Sequence, residues 1–177
     1  MAMAGEVKAW LSSFESALLQ RDVEAATQLF HPEECFWRDL LSFTWNIYTA
    51  ESRQEIADML RSALIDNNGD HIYPTSSWKL QGEENAMEET HPHGSMIIIT
   101  TIHAFFTFET RAAYCRGHIK LRGGKCWCLL TTMLELKGHG EPAGPRRGLG
   151  APHGGDAVRG GGRKTWLEAR HEELSRL

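Results

Sequence analysis

The chain has 177 residues, of which 41% are hydrophobic and 24% are charged, and its net charge is −4. This length allows one domain with a hydrophobic core and is too short for two large ones. The acidic balance gives no reason to expect nucleic acid or an anionic membrane as a partner, and no apolar run reaches the roughly 20 residues of a spanning helix. The N-terminus lacks the basic and apolar segments of a signal peptide, so we expect a cytoplasmic protein.

Three amphipathic helices are predicted in the first 66 residues. The first is indicated by apolar residues at helical spacing, namely Val7, Trp10, Leu11, Phe14, Ala17 and Leu18. A second, shorter helix fits 22–30 and ends before Pro32. Ser52 and Glu55 have the spacing of a capping box, and the apolar residues from Ile56 to Leu64 form one face of the third helix.

After this third helix the apolar spacing changes from 3.6 residues to 2. Four segments alternate or run apolar, at 76–82, 94–110, 113–122 and 125–137. The 96–108 segment is apolar on both faces, which is typical of a strand covered on each side. Gly123 and Gly124 can supply the positive φ of a hairpin turn. Helices followed by long antiparallel strands predict an α+β fold in which the three helices pack on one sheet face.

The last forty residues differ in composition from the rest of the chain. From Lys137 onward there are eight Lys or Arg and five Asp or Glu, so this part carries +3 and the first 136 residues carry −7. Ten of the 17 glycines fall between 137 and 163. Such a segment buries too little apolar surface to offset its ordering entropy, so we expect a linker at 138–164. The residues 165–177 then resemble the start of another helix.

A charged pair, Arg38 and Asp39, interrupts the aromatic run between Trp37 and Trp45. A carboxylate held among aromatic rings could have a raised pKa and act as a general acid or base if a substrate pocket opens beside it. The alternative is structural. In that case Arg38 points to solvent or pairs with Asp39 or Glu55, while the two tryptophans fill the core.

Two further residues are candidates for the same site. His103 lies in the middle of an apolar strand, where a histidine is either a hydrogen-bonded core residue or a catalytic group. Glu135, near the end of the last strand, could complete a constellation with them. Asp39, His103 and Glu135 are therefore the predicted catalytic residues.

The cysteines and glycines do not indicate a metal or nucleotide site. Cys126 and Cys128 lack the C-x-x-C spacing of a zinc site. The four cysteines need not form disulfides, because three of them lie in strand-like apolar segments, where a free cysteine behaves as a small hydrophobic residue. The glycine-rich segment at 159–165 does not have the spacing of a phosphate-binding loop, and no strand leads into it. We predict no metal and no cofactor bound by this chain.

Three segments carry a resemblance to a known family: "CFWRDLLSFTWNIYT", "HAFFTFETRAAYCRGHIKLRGGKCWCLLTTMLELKGHGEPAGPRR" and "RKTWLEARHEE". They resemble the N-terminal region of flavin-containing monooxygenase-like proteins, which begin with a nuclear transport factor 2-like (SnoaL-like) domain. The resemblance implies three helices on a strongly curved antiparallel sheet that forms a cone around an apolar pocket. It places Asp39, His103 and Glu135 near that pocket, whose other expected residues are Trp37, Arg38, Trp45, Asn46 and Phe105.

The resemblance also implies a domain arrangement and a function. Residues 1–137 would be the nuclear transport factor 2-like domain, 138–164 the linker, and 165–177 a helix leading to a flavin-binding module that this sequence lacks. FAD and NADPH would bind to that module in a full-length relative and not to this chain. The expected function is that of a non-redox accessory domain, with this chain a fragment of such a protein.

Two other functions stay open. One is a free-standing isomerase, dehydratase or cyclase, with Asp39 as the base. The other is a module that binds a small apolar or aromatic ligand or forms a homodimer through Trp127 and Leu129 on the last long strand.

Overall fold

The computed structural model describes residues 2–66, 75–82, 86–93, 97–140 and 166–175. The chain divides into two units, Met1–Gly140 and Glu141–Leu177. The predicted linker at 138–164 lies almost wholly outside the described residues, so its boundaries stay a prediction. In the second unit a helix spans Trp166–Leu174, within the segment where the sequence predicts one. None of the described helices is long and apolar enough to cross a membrane.

The described part of the first unit contains three α-helices, at the places that the apolar spacing predicts. They are α1 (Ala2–Leu19), α2 (Val23–Gln28) and α3 (Arg53–Arg61). The side chain of Asp22 caps α2 by accepting from the backbone N–H of Ala25 at 2.9 Å. The N-cap half of the predicted capping box of α3 is confirmed, because Ser52 Oγ accepts from the Glu55 N–H at 3.2 Å, whereas the Glu55 carboxylate accepts from the N–H of Glu51 at 2.9 Å and not from that of Ser52. A turn of π-helix, Ser62–Asp66, continues α3, and the sequence pattern did not predict it.

Seven strands form one sheet. They are β1 (Phe36–Leu40), β2 (Ile47–Ala50), β3 (Ser76–Leu80), β4 (Met87–His93), β5 (Ile97–Glu109), β6 (Ala113–Arg122) and β7 (Lys125–Leu136). Their order is β2-β1-β7-β6-β5-β3, with β4 also paired to β5. Strands β1 and β7 pair in parallel, and the other strand pairs described are antiparallel. The α+β class with helices packed on a mostly antiparallel sheet is confirmed. The β6–β7 hairpin turns at Gly123 and Gly124, whose φ angles of +52° and +73° fit the predicted turn.

The sheet has an inner face toward the helices and an outer face away from them. One row of neighbouring residues runs across the inner face through Phe106, Gly117, Thr131 and Asp39. The adjacent row, Phe105, His118, Leu130 and Arg38, belongs to the outer face, because successive side chains on a strand point to opposite sides. These two rows define the inner and outer faces of the sheet.

Aromatic rings fill the space between the helices and the inner face. Their members are Trp10, Phe14, Phe30, Trp37, Phe43, Trp78, Phe106 and Phe108, all at most 7% exposed. Trp78 stacks on Phe108 with ring centroids 4.2 Å apart, and Phe14 makes edge contacts with Trp37 and Trp78. Packing of this kind leaves the middle of the expected cone occupied by side chains, and the open groove described below lies at its side.

One glycine on the inner face makes this packing possible. A Cβ on Gly117 would overlap the ring of Phe106 and the carbonyl oxygen of Leu130. The Phe106 ring therefore lies directly over the backbone of β6 at this point. Any larger residue at 117 has to displace the ring or the strand.

Candidate functional site

Asp39 is fully buried, and its carboxylate accepts five hydrogen bonds. Oδ1 accepts from the hydroxyl of Ser42 and from Thr131 Oγ1, the latter at 2.7 Å. Oδ2 accepts from the Phe43 N–H at 3.0 Å and from both the N–H and the hydroxyl of Thr44 at 2.8 Å. Because both oxygens are occupied by donors and the residue is 0% exposed, the structural alternative for this carboxylate fits the geometry.

Four of those five bonds come from the loop at 41–46, which joins β1 to β2. The loop is closed by a bond of 3.0 Å from the Leu41 N–H to the Asn46 carbonyl. Leu41 and Trp45 have φ angles of +67° and +54°, which cost a non-glycine residue about 1–3 kcal/mol each. The carboxylate of Asp39 offsets that strain by binding the backbone N–H groups of Phe43 and Thr44. As a result the indole of Trp45 is held outward and is 45% exposed.

The loop forms one wall of a groove of about 630 Å³, and α3 with its π-helical turn forms the other. The lining residues are Phe43, Thr44, Trp45, Asn46, Tyr48, Asp58, Met59, Ser62 and Ala63. Tyr48 is 40% exposed, so two aromatic side chains face this space together with amide, hydroxyl and carboxylate groups. Turns of π-helix occur often at functional sites, and here the turn supplies Ser62 and Ala63 to the wall.

The predicted pocket residues separate into three places. Trp45 and Asn46 line the groove. Trp37 is fully buried in the aromatic core, where its Nε1–H donates to Thr131 Oγ1 at 2.9 Å. Arg38 and Phe105 lie on the outer face and are exposed, because they alternate with buried inner-face neighbours. All five were expected around one pocket. Because β1 was not predicted as a strand, the alternation that sends Trp37 and Arg38 to opposite faces was not foreseen.

The structure does not bring the three predicted catalytic residues together. Asp39 is on the inner face, whereas His103 is on the outer face with its Nδ1 at 3.4 Å from Nε2 of His118. Glu135 is exposed and lies four residues along β7 from Thr131, the partner of Asp39, or about 13 Å at strand spacing. Their catalytic roles stay predictions, without a shared site among the described residues.

His118 is a titratable group of the outer face whose pKa is shifted by its surroundings. Burial lowers its pKa from the ordinary value, and the nearby charges of His103 and Lys120 lower it further, against an opposing effect of Glu89. The ring of Phe105 lies 4.6 Å from the His118 ring and supplies part of that burial.

Several groove residues were missed by the sequence reasoning. Asp58, Met59, Ser62 and Ala63 follow the spacing i, i+1, i+4 and i+5, which is a stripe beside the buried face of α3. A helical wheel of 53–66 would have shown this mixed polar and apolar stripe. Nothing in the sequence shows that the loop at 41–46 lies opposite to it.

The cysteines are free thiols. Burial and the charge of Asp39 raise the pKa of Cys115 to about 12, and burial raises the pKa of Cys126 well above its usual range. These thiols are therefore protonated at neutral pH and behave as core residues. Within the described ranges, no group of three or more His, Cys, Asp or Glu side chains could hold a metal ion.

The predicted dimer patch is wrong in its geometry. Leu129 is 2% exposed and belongs to the core. Trp127 is the extra residue of a bulge, since Lys120 pairs with Cys128 and Leu121 with Cys126. Its ring lies under the guanidinium of Arg122, 3.1 Å from the centroid, so the two side chains do not form one exposed apolar surface.

Comparison with known proteins gives structural neighbours only. No protein-family model and no curated protein matches the sequence. ActVI-ORFA from Streptomyces coelicolor is 16% identical and has a TM-score of 0.45, covering 75% of this chain and 98% of that one. An NTF2-like protein of unknown function from Cytophaga hutchinsonii is 9% identical, with a TM-score of 0.42 and coverage of 72% and 88%. A protein of ketosteroid isomerase-like fold from Catenulispora acidiphila, in complex with trimethylamine, is 12% identical, with a TM-score of 0.38 and coverage of 69% and 82%.

Proposed function

We propose that this chain is a small-molecule-binding domain of the nuclear transport factor 2-like type, and that its ligand site is the groove between the 41–46 loop and α3. The groove carries the proposal. Its volume of about 630 Å³ is in the range of small-molecule sites, which is about 300–1,000 Å³. The strained loop conformation, fixed by the buried carboxylate of Asp39, holds Trp45 toward the ligand before binding.

The lining residues favour a small, planar, partly apolar ligand. Trp45 and Tyr48 offer exposed rings that can stack on a flat hydrocarbon or aromatic surface. Asn46, Asp58 and Ser62 supply amide, carboxylate and hydroxyl groups that can bind polar substituents. The ligand class is the one that the sequence predicts, although the site lies beside the aromatic core and not within it.

We further propose, on the resemblance, that the domain is an accessory part of a flavin-containing monooxygenase-like protein. The described residues do not fit FAD or NADPH. A pyrophosphate is bound by a βαβ unit, in which a glycine-rich turn joins a strand to a helix and the helix leads to a second, parallel strand, and the described residues contain no such unit. Redox chemistry would therefore belong to a fused flavin-binding module. The role of this domain would be to hold a substrate near that module.

A second candidate function is a free-standing enzyme that moves one proton. One observation favours it: the groove has a carboxylate of its own, Asp58. That carboxylate accepts from Gln54 Nε2 at 3.0 Å and from Arg61 at 2.9 Å, so its position beside the groove is fixed by two donors. In an enzyme of this kind Asp58 would be the base, in place of the buried Asp39.

The test is a binding screen with planar aromatic alcohols and ketones, measured by ligand-observed NMR and calorimetry. We expect Trp45→Ala to weaken the affinity of any ligand found by about tenfold or more, because a stacking ring is lost. Trp166→Ala, at an exposed tryptophan of the second unit, is the matched control and should leave affinity unchanged. Equal affinity of wild type and Trp45→Ala for every ligand would remove the groove from consideration.

The same ligands separate the two functions. If the domain only binds, Asp58→Asn should change affinity and no ligand should be converted. If it is an enzyme, conversion should be seen in the wild type, and Asp58→Asn should reduce turnover by about 10²–10⁴ while the protein stays folded.

A further inference from the structure

The outer face of β6 carries a row of basic side chains, although the protein as a whole is acidic. Residues 113, 115, 117, 119 and 121 are buried, so the residues between them point outward. Four of these outward residues are Arg116, His118, Lys120 and Arg122. We call them the basic row. Arg38 adds another cation to the same face, in line with His118 through Leu130.

The positive charge of the basic row is only partly compensated. Lys120 lies 3.8 Å from Glu89, and Arg122 lies 4.0 Å from Glu34, distances at which exposed ion pairs contribute little. Arg116 is exposed and has no ion pair among the described residues. The outer face therefore presents surplus cations to solvent.

Apolar side chains lie directly beside the basic row. Phe105 is 46% exposed on β5, and Leu130 is half-buried on β7, on either side of His118. Two other aromatic rings of this region make contacts with cations. Arg122 lies 3.1 Å from the ring centroid of Trp127, and Lys137 lies 5.1 Å from that of Tyr114.

We propose that this outer face docks an acidic, extended polypeptide segment that runs along β6 with Asp or Glu at alternate positions. Alternate residues of an extended chain repeat every 6.8 Å or so, and the outward residues of β6 repeat at that same spacing. Every second side chain of the segment would thus meet a side chain of the basic row, in which Arg116, Lys120 and Arg122 carry the positive charge. The intervening contacts with Phe105 and Leu130 would exclude water from these charge pairs and strengthen them.

Two other occupants fit the surface less well. A second copy, related by a two-fold axis through this face, would bring the basic row against its own equivalent, and like charges repel. A single-stranded nucleic acid would need a series of open rings on which successive bases stack, whereas the ring of Trp127 lies under the guanidinium of Arg122. An acidic peptide needs neither arrangement.

Fluorescence anisotropy with a labelled peptide of six Glu-Thr repeats tests the proposal, at about 50 mM NaCl to limit screening. We expect this probe to bind more tightly than a Gln-Thr peptide, than a peptide with the six glutamates contiguous, and than oligothymidylate. The double variant Arg116→Gln/Lys120→Gln should weaken binding about tenfold or more. Lys8→Gln, which removes a charge from an exposed position on α1, should change it less than about twofold.

Arg116→Gln alone keeps the test valid if the double variant does not fold, because Arg116 is exposed and supports no other side chain in the described structure. It should weaken binding about threefold or more. The proposal would be overturned if the Glu-Thr probe failed to bind, or if the Gln-Thr or contiguous probe bound equally well. It would also be overturned if oligothymidylate bound more tightly, or if Arg116→Gln and Lys8→Gln had equal effects. A stable dimer in sedimentation that Arg116→Gln alters would overturn it too.

Discussion

The two faces of the sheet use the same strands and have opposite chemistry. On the inner face, aromatic rings are packed around the buried carboxylate of Asp39, whose hydrogen bonds are all made within the protein. On the outer face, the basic row lies beside the ring of Phe105, which is 46% exposed. Arg38 and Asp39 are neighbours in the chain and belong one to each face. A charged pair in an apolar run therefore need not be an ion pair, because strand alternation separates its members.

The largest effect is expected from comparing these two neighbours directly. Asp39→Ala removes the acceptor for five donors and leaves a cavity in the core, so we expect the free energy of unfolding to fall by about 3–4 kcal/mol. Arg38→Ala removes an exposed side chain whose hydrogen bond goes to Thr49 at 3.2 Å, and should cost about 0.5 kcal/mol or less. Urea unfolding followed by circular dichroism measures both.

Equal losses of unfolding free energy in the two variants would contradict the assignment of these residues to opposite faces.

A ligand that binds in the groove gives a second measurement of the role of Asp39. Because Asp39 positions the loop with Trp45, Asp39→Asn should weaken such a ligand even at temperatures where the variant is fully folded. A variant that is folded and binds normally would show that the loop does not depend on Asp39.

A smaller loss of stability is expected at the inner-face glycine. Gly117→Ala puts a methyl group where the Phe106 ring and the Leu130 carbonyl already lie, and overpacking of this kind costs about 1–3 kcal/mol. Gly5→Ala on α1 is the matched control, since its Cβ would meet nothing within 4 Å. That control should stabilise the protein by about 0.5–1 kcal/mol, because alanine has the higher helix propensity. Thermal unfolding should show a lower midpoint temperature for Gly117→Ala and a higher one for Gly5→Ala. Equal changes of the midpoint in the two variants would show that the Phe106 ring can move away freely.

The sequence predicts the regular parts of this fold because each has a strong apolar period. The stripe of α1, the capping box of α3 and the long alternating strands β5 to β7 were all recognisable from local spacing. The short strands β1, β2 and β4 were not. In β1 a buried carboxylate replaces an apolar residue, and its acceptors are satisfied by hydroxyl and amide groups that no local pattern reveals.

The candidate site was less predictable than the fold, because it depends on contacts between distant segments that no local pattern reveals. Trp45 and Asn46 were expected in a pocket, and they line the groove. Phe105 and His103 were expected there as well, but their strand directs them to the outer face. Which face of a strand meets the helices depends on register across several strands, and a one-residue difference reverses the result. The basic row is present in the sequence as every second residue of "RGHIKLR", although the net charge of the chain is negative and does not indicate it.

The smallest expected effect concerns pH and the outer face. Burial lowers the pKa of His118 below its ordinary value of 6.5, with further lowering by His103 on β5 and Lys120 on β6 and an opposing effect of Glu89 on β4. The unfolded chain therefore binds a proton at His118 before the folded protein does, so folding stability falls as the pH drops through 6.5 and levels off below the folded-state pKa. His118→Gln should flatten this part of the stability curve. NMR titration of the His118 ring C–H signals measures the pKa itself, and a midpoint at or above 6.5 would contradict the buried position that the structure gives to this ring beside Phe105.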